Sequence, residues 1–304
     1  MKLIKPSFEI WEQPSGLEGV YKQIEGAGRV CYKSEDKIAE GTAKAFVDRM
    51  IASGHGAMLE HGTVYLKCKT EVINRYIHPE DGEEEDFNKL EKYEYNSYSV
   101  TNDDGIYLYV TTNLRVLVEG NCLRDLEYLC EPTEYHEKRI TVKFICDRGV
   151  SHEFVRHRVF SFAQESTRYC NYSKDKFDSE CTFIIPCWLN IVEGSYTLED
   201  VEEKYDRCLI TDSGKGITNE AAEYIRSLIY SEKTYFSLLD RNWRPQQARA
   251  VLPNSLKTEL VMTGFVSDWK HFFELRCSSS AHPQARELAI PLQEEFIARG
   301  YINN

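Results

Sequence analysis

Apolar positions along the chain fall into helical and strand periods. In residues 41–53, GTAKAFVDRMIAS, the residues Phe46, Val47, Met50 and Ile51 lie at helical spacing and the pattern stops at Gly54, which predicts an amphipathic helix. The next piece, GHGAMLEHG, reads as a loop. TVYLKC (63–68) and ITVKFIC (140–146) alternate β-branched or aromatic residues with others and predict strands, and YLYVTTNLRVLVEG (107–120) predicts a strand running into a helix. Further on, Ile225, Leu228, Ile229, Tyr235, Phe236 and Leu239 form one stripe of a helix over 217–239, a core-facing face. Pro245 opens a short helix in PQQARAVLP and Pro253 closes it. LKTELVMTG (256–264) predicts a strand, DWKHFFELRC a helix, and an amphipathic helix runs from about Pro283 to Arg299.

The chain carries no internal repeat and no low-complexity linker, so the expectation is a single α+β domain over 1–304, a mixed sheet flanked by helices. Residues of about 69–138 have a different character, with the acidic run EDGEEED (80–86) and a tyrosine-rich piece. They are expected to be an insertion between two neighbouring strands, the acidic run being a solvated loop.

With 304 residues, 42% of them hydrophobic, the chain can bury a sizeable core without staples. Its ten cysteines show no CxxC pair and no repeated spacing, which predicts reduced thiols in a cytoplasmic protein. The N-terminal MKLIKPSFEIWEQPSG lacks a signal-peptide core and no run is long enough to span a bilayer, so no membrane partner is expected. A net charge of -12 argues against nucleic acid as a partner, because such a surface needs a broad basic field. It also makes any local cluster of arginines informative.

That cluster is SHEFVRHRVFSFAQESTRY, residues 151–169. Its start falls one residue short of the HExxH zinc pattern. His152 and His157 are five apart, hence roughly 140° apart on a regular helix instead of roughly 40°, and cannot share a metal from one helix face. A metal-dependent hydrolase is therefore the disfavoured alternative. Arg156, Arg158 and Arg168 offer three planar, permanently charged forks suited to phosphates and to the imide edge of a pyrimidine, with Ser161, Gln164, Ser166 and Thr167 interleaved.

These residues carry a resemblance. RHRVFSFAQES is similar to the signature of flavin-dependent thymidylate synthases, an RHR (Arg156, His157, Arg158) followed after seven residues by Ser166, with Arg168 and Tyr169 completing the tail. GRVCYKS (28–34), LEHGTVYL with His61 and Thr63, QQARAVLP with Arg249, HFFELRC with Arg276 and AHPQARELA (281–289) resemble other family segments in the right order. The likeness covers most of the chain outside roughly 69–138.

The resemblance implies a homotetramer that binds FAD, reduces it with NADPH, and converts dUMP to dTMP with methylenetetrahydrofolate as carbon donor. It puts Glu153, Arg156, Gln164, Glu165, Ser166, Thr167, Arg168, Arg249 and Arg276 at the nucleotide, and His61, Thr63, Arg156, His157, Arg158, Gln164 and His271 at the flavin. Arg276 is implied to act on the uracil ring as a fixed cation. Ser166 is placed at the same chemistry, in a positioning role, since a serine nucleophile needs an adjacent base. The chain departs from the family pattern at Gln164 and Glu165, where the acid comes one place later, and at Phe265 and Ser267, where an asparagine and an arginine are common. No GxGxxG turn is present, so the flavin is expected on arginine, histidine and backbone groups at subunit contacts. Cys31 and Cys170 lie near the matched segments and read as buried thiols. A non-catalytic nucleotide-binding protein on the same scaffold is the other alternative.

Overall fold

The computed structural model describes residues 1–69, 89–174, 177–202 and 218–303. In chain order, β1 (Lys2–Ile4) and β2 (Ser7–Trp11) lead into helices α1 (Gly16–Tyr32), α2 (Thr42–Ala52) and α3 (Gly56–Leu59). Then come β3 (Thr63–Lys69), β4 (Val100–Asp103), β5 (Tyr107–Asn113), α4 (Leu114–Glu119), β6 (Arg139–Asp147), α5 (Arg148–Phe154) and β7 (Ser161–Gln164). The C-terminal half adds β8 (Thr182–Ile184), β9 (Gly194–Ser195), α6 (Leu198–Glu202), α7 (Asn219–Asp240), α8 (Pro245–Ala248), β10 (Lys257–Phe265), α9 (Val266–Arg276) and α10 (Pro283–Ala298).

The strands form three sheets instead of the single mixed sheet expected. The largest is antiparallel throughout, in the order β2-β6-β10-β7. Side chains alternate across it with the strand period of two. Val142, Phe144, Leu260 and Met262 turn to one face and pack with Trp269, Phe272 and Phe273 of α9 and Phe296 of α10. Trp269 is fully buried, and its indole N–H is satisfied by the Ile140 carbonyl at 3.1 Å. On the other face Ala163 and Val261 meet Ala27 and Val30 of α1.

A second antiparallel sheet, β3-β5-β4, buries Val64, Leu66 and Val110 against Val20 and Ile24 of α1 and Phe46 and Val47 of α2. The third, β8-β1-β9, contains the parallel pairing, β1 with β8, and packs on Ile225, Leu228 and Ile229 of α7. Among the described residues no helix is long and apolar enough to cross a membrane.

Two sequence expectations are corrected. β3 and β6 are not neighbours: β3 pairs with β5 along its whole length, while β6 lies between β2 and β10. The reason is that 107–113 has its own apolar face and folds back on β3 before the chain reaches β6. The starts of β3 and β6 are nevertheless tied, because Arg139 donates to the Glu60 carbonyl at 2.9 Å and to Thr63 Oγ1 at 3.4 Å. Within the stretch read as a loop, Gly56–Leu59 form the short helix α3. The acidic run 80–86 lies outside the described residues.

Candidate active site

The site is built where α5, the turn after it, and α9 converge. Asp147 starts α5 by accepting from the Val150 amide at 2.8 Å, an N-cap that fixes where the helix begins. The helix ends at Phe154, so His152 is left exposed and His157, beyond the helix, is buried. Among the described residues no group of three His, Cys, Asp or Glu is placed to hold a metal ion.

Arg276, at the end of α9, is gripped from α5 and the turn after it by all three of its guanidinium nitrogens. Nη1 donates to Glu153 Oε2 at 2.6 Å, Nη2 to the Glu153 carbonyl at 2.7 Å, and Nε to His157 Nε2 at 2.9 Å. A guanidinium has five N–H groups, so one remains on each Nη for a ligand. His157 can accept only if its Nε2 carries no proton. Burial, and then the neighbouring charge of Arg276, hold its pKa down to about 4, so the imidazole is neutral. Phe160 and Phe272 enclose the ring. Leu275, beside Arg276, is 48% exposed.

β7 carries the rest of the motif. Gln164 donates to Ser151 Oγ at 2.8 Å, which ties β7 to the helix bearing Glu153. Ser166 is pinned by its amide to the Cys31 carbonyl at 3.0 Å, and its hydroxyl accepts from the Arg168 amide at 3.3 Å; among the described residues no base is bonded to it. Thr167 accepts from Arg249 Nη1 at 2.9 Å, which brings two distant segments of the motif set together.

Glu165 is placed differently from its expected role. Its carboxylate is 2% exposed and turns inward to Lys257 Nζ at 2.9 Å, behind the site. Lys257 also meets Glu259 at 2.6 Å, and Glu259 is ringed further by Lys33 at 2.7 Å and Lys143 at 2.9 Å. Burial alone would raise the Glu259 carboxyl, but Lys257 and Lys33 more than reverse that and hold it well below the usual carboxylate range. No sequence motif pointed to Lys257 or Glu259, which are seven residues and more from any quoted motif arginine and are joined to the site only by pairing of β10 with β7.

The expected flavin residues divide into two groups. Arg156 and Arg158 are exposed and meet no carboxylate among the described residues, and His271 is exposed beside Glu274 at 3.3 Å. His61 and Thr63 are buried, His61 with Nδ1 on Thr263 Oγ1 at 2.8 Å and its Nε2 without a hydrogen-bond partner among the described residues. Burial and then Arg139 lower the His61 pKa to about 3, so it too is neutral.

Residues 133–299 match the family model described as thymidylate synthase complementing protein. The chain belongs to that family. Among curated relatives, the flavin-dependent thymidylate synthase of Corynebacterium aurimucosum is 25% identical over 282 residues, covering 92% of this chain and 77% of the relative. Those of Corynebacterium efficiens, 31% identical over 149 residues, and Pyrococcus furiosus, 29% over 154, align with about half of this chain, and the chain spans 53% and 52% of their lengths. The UMP/dUMP methylase PolB of Streptomyces cacaoi, solved with 5-Br dUMP, aligns over 98% of this chain and 93% of its own at 17% identity with a TM-score of 0.41.

Arg156 and Arg158 are thus exposed planar forks that meet no carboxylate among the described residues. A cavity of about 820 Å³ between α1 and α2, lined among others by Arg29, Lys33, Lys37 and Arg49, was missed by the sequence reading. The only signal for it was the segment GRVCYKS, whose basic residues recur one turn apart on α1.

Proposed function

We propose that this family member methylates dUMP reductively to dTMP, with methylenetetrahydrofolate as carbon donor and NADPH-reduced FAD as hydride donor. FAD, when bound, supplies the hydride; the chain's own residues bind, orient and polarise. The observation that carries the reading is the three-point grip on Arg276, which leaves two N–H groups of a fixed cation for the imide edge of a uracil.

A cation held there stabilises the ring as it becomes electron-rich for attack on the methylene carbon, without a protein thiolate adding to it. Each unit by which the ring's pKa falls corresponds to about 1.4 kcal/mol of differential interaction. Glu153 supplies an acceptor beside these donors and so complements the imide N–H. Thr167, Arg168 and Arg249 are assigned to the nucleotide phosphate, Gln164 and Ser166 to holding the base, and Arg156, Arg158 and His271 to the flavin. Ser166 positions, since no base contacts it among the described residues. Glu165, His61, Thr63 and His157 support these groups from within.

The same reading makes the protein a cytoplasmic homotetramer. Its support is the exposed Val159 and Leu275 beside the exposed arginines, a face suited to a second copy. It also keeps 1–304 as one domain with an insertion at about 69–138. The test is direct: purified protein should show flavin absorption that bleaches with NADPH in the absence of oxygen, and should then form dTMP from dUMP and methylenetetrahydrofolate. Protein that neither carries nor takes up FAD would sink the reading.

A further inference from the structure

The cavity between α1 and α2 is lined by Arg29, Lys33, Lys37 and Arg49 against one lining carboxylate, Asp36; Lys33 is already paired with Glu35 and Glu259, and Arg29 with Glu25, so the excess rests on Lys37 and Arg49. In a chain of net charge -12 that local excess is opposite in sign to the whole. Arg29 is a built element and not a loose surface charge. Its side chain is 11% exposed, its Nε and Nη2 both donate to Glu25 Oε1 at 3.1 and 2.7 Å, and its guanidinium lies over the Phe46 ring at 5.0 Å from the centroid. Glu25 is itself fixed by Thr42 Oγ1 at 2.9 Å. Arg29 Nη1 is left without a partner among the described residues. Arg49 lies over the same ring at 5.5 Å, and neither Arg49 nor Lys37 meets a carboxylate within ion-pair distance among the described residues.

The cavity borders the candidate active site. Tyr32, in its wall, has its ring 5.3 Å from that of Tyr169, next to Arg168, and the carbonyl of Cys31 holds the Ser166 amide. We propose that this cavity is an anion site that seats the far, charged end of a cosubstrate whose reactive end lies at the site of Arg276 and Ser166. The chemistry it recognises is a phosphate or carboxylate dianion, for which the proposed reaction offers two sources, the 2′-phosphate of NADPH and the glutamate tail of the folate. The identity of the cosubstrate rests on the function proposed above; the anion site does not.

Lys37 and Arg49 are exposed and outside the packed core, so the Lys37→Ala/Arg49→Ala variant should fold and keep its FAD. Michaelis constants for NADPH and NADH are compared in anaerobic flavin reduction, and those for mono- and triglutamyl methylenetetrahydrofolate in dTMP formation. Loss of two ion pairs to a dianion should raise the constant for NADPH or for the triglutamyl folate by about tenfold, leaving NADH, the monoglutamyl form and dUMP unchanged. Unchanged constants for both charged cosubstrates would overturn the proposal. Titration of wild type and variant with 2′,5′-ADP and with free triglutamate reads the site without turnover. If the protein makes no dTMP, the function reading fails alone, and these titrations decide: saturable binding lost in the variant sustains the anion site, and binding of neither probe removes it.

Discussion

Arg276 Nε donates to His157 Nε2 across 2.9 Å, so a buried histidine that looks like a ligand in the sequence serves as the acceptor that aims a cation. The neutral state this requires has a pH consequence. The His157 pKa is lowered from 6.5 to about 4, and that of buried His61 from 6.5 to about 3. Below pH 6.5 the unfolded chain takes up protons that the folded chain refuses, so stability is fully present above 6.5 and falls as the pH drops towards 4. Urea midpoints measured over that range should fall with pH, and His157→Gln, whose amide oxygen can still accept from Arg276, should flatten part of the slope. An identical slope in the variant would show that His157 does not titrate with folding.

Arg276→Lys keeps the charge and loses the planar fork that Glu153 and His157 hold. FAD binding and NADPH oxidation should persist while single-turnover dTMP formation from pre-reduced enzyme falls by roughly a hundredfold or more, the scale of losing one preorganised electrostatic contact. Near-normal turnover would return Arg276 to a structural role.

Much of this was legible in the sequence, for reasons that particular residues make clear. α2, α7, β6 and β10 carry uninterrupted periodic faces, and the structure has them within a residue or two of where periodicity put them. The ordered motifs also led to Thr167 and Arg249, which the fold brings into contact, and to Arg276, which it brings onto Glu153 and His157. α1 went unread because Gly16, Gly19, Gly26 and Gly28 look like breaks, whereas close packing against Pro14 and Phe46 is what demands glycine at Gly19 and Gly28. The inward turn of Glu165 was invisible because its partner Lys257 lies 92 residues away, and only strand pairing makes them neighbours.

That pair yields a stability prediction. Among the described residues, Lys257→Met leaves the buried Glu165 carboxylate with only the Tyr172 hydroxyl at 3.4 Å, while Glu259 keeps Lys33 and Lys143. Stranding one buried charge should cost about 3 kcal/mol in urea unfolding. Adding Glu165→Leu removes the stranded charge, and the double variant should recover most of that loss. A double variant no more stable than Lys257→Met alone would mean that the pair is not coupled in the folded protein.

Two glycines of α1 should answer oppositely to the same substitution. A Cβ on Gly28 would sit 2.4 and 2.7 Å from Cζ and Cε1 of Phe46, a ring that is 3% exposed and has the guanidiniums of Arg29 and Arg49 over it. The ring cannot withdraw without disturbing α2, so Gly28→Ala forces the helices apart. Overpacking of this kind costs roughly 1–3 kcal/mol. The gain in helix propensity on replacing glycine by alanine, about 1 kcal/mol, does not offset that. At Gly26 the nearest atom to a new Cβ is in the Trp11 ring at 3.4 Å, an ordinary contact, so there the propensity gain should stand. Thermal unfolding should therefore place Gly28→Ala below wild type and Gly26→Ala at or above it. Because Phe46 and Arg29 also wall the basic cavity, Gly28→Ala should weaken binding of 2′,5′-ADP or triglutamate as well. A Gly28→Ala protein as stable as wild type would show that α1 and α2 are not in the close contact on which the cavity's shape depends.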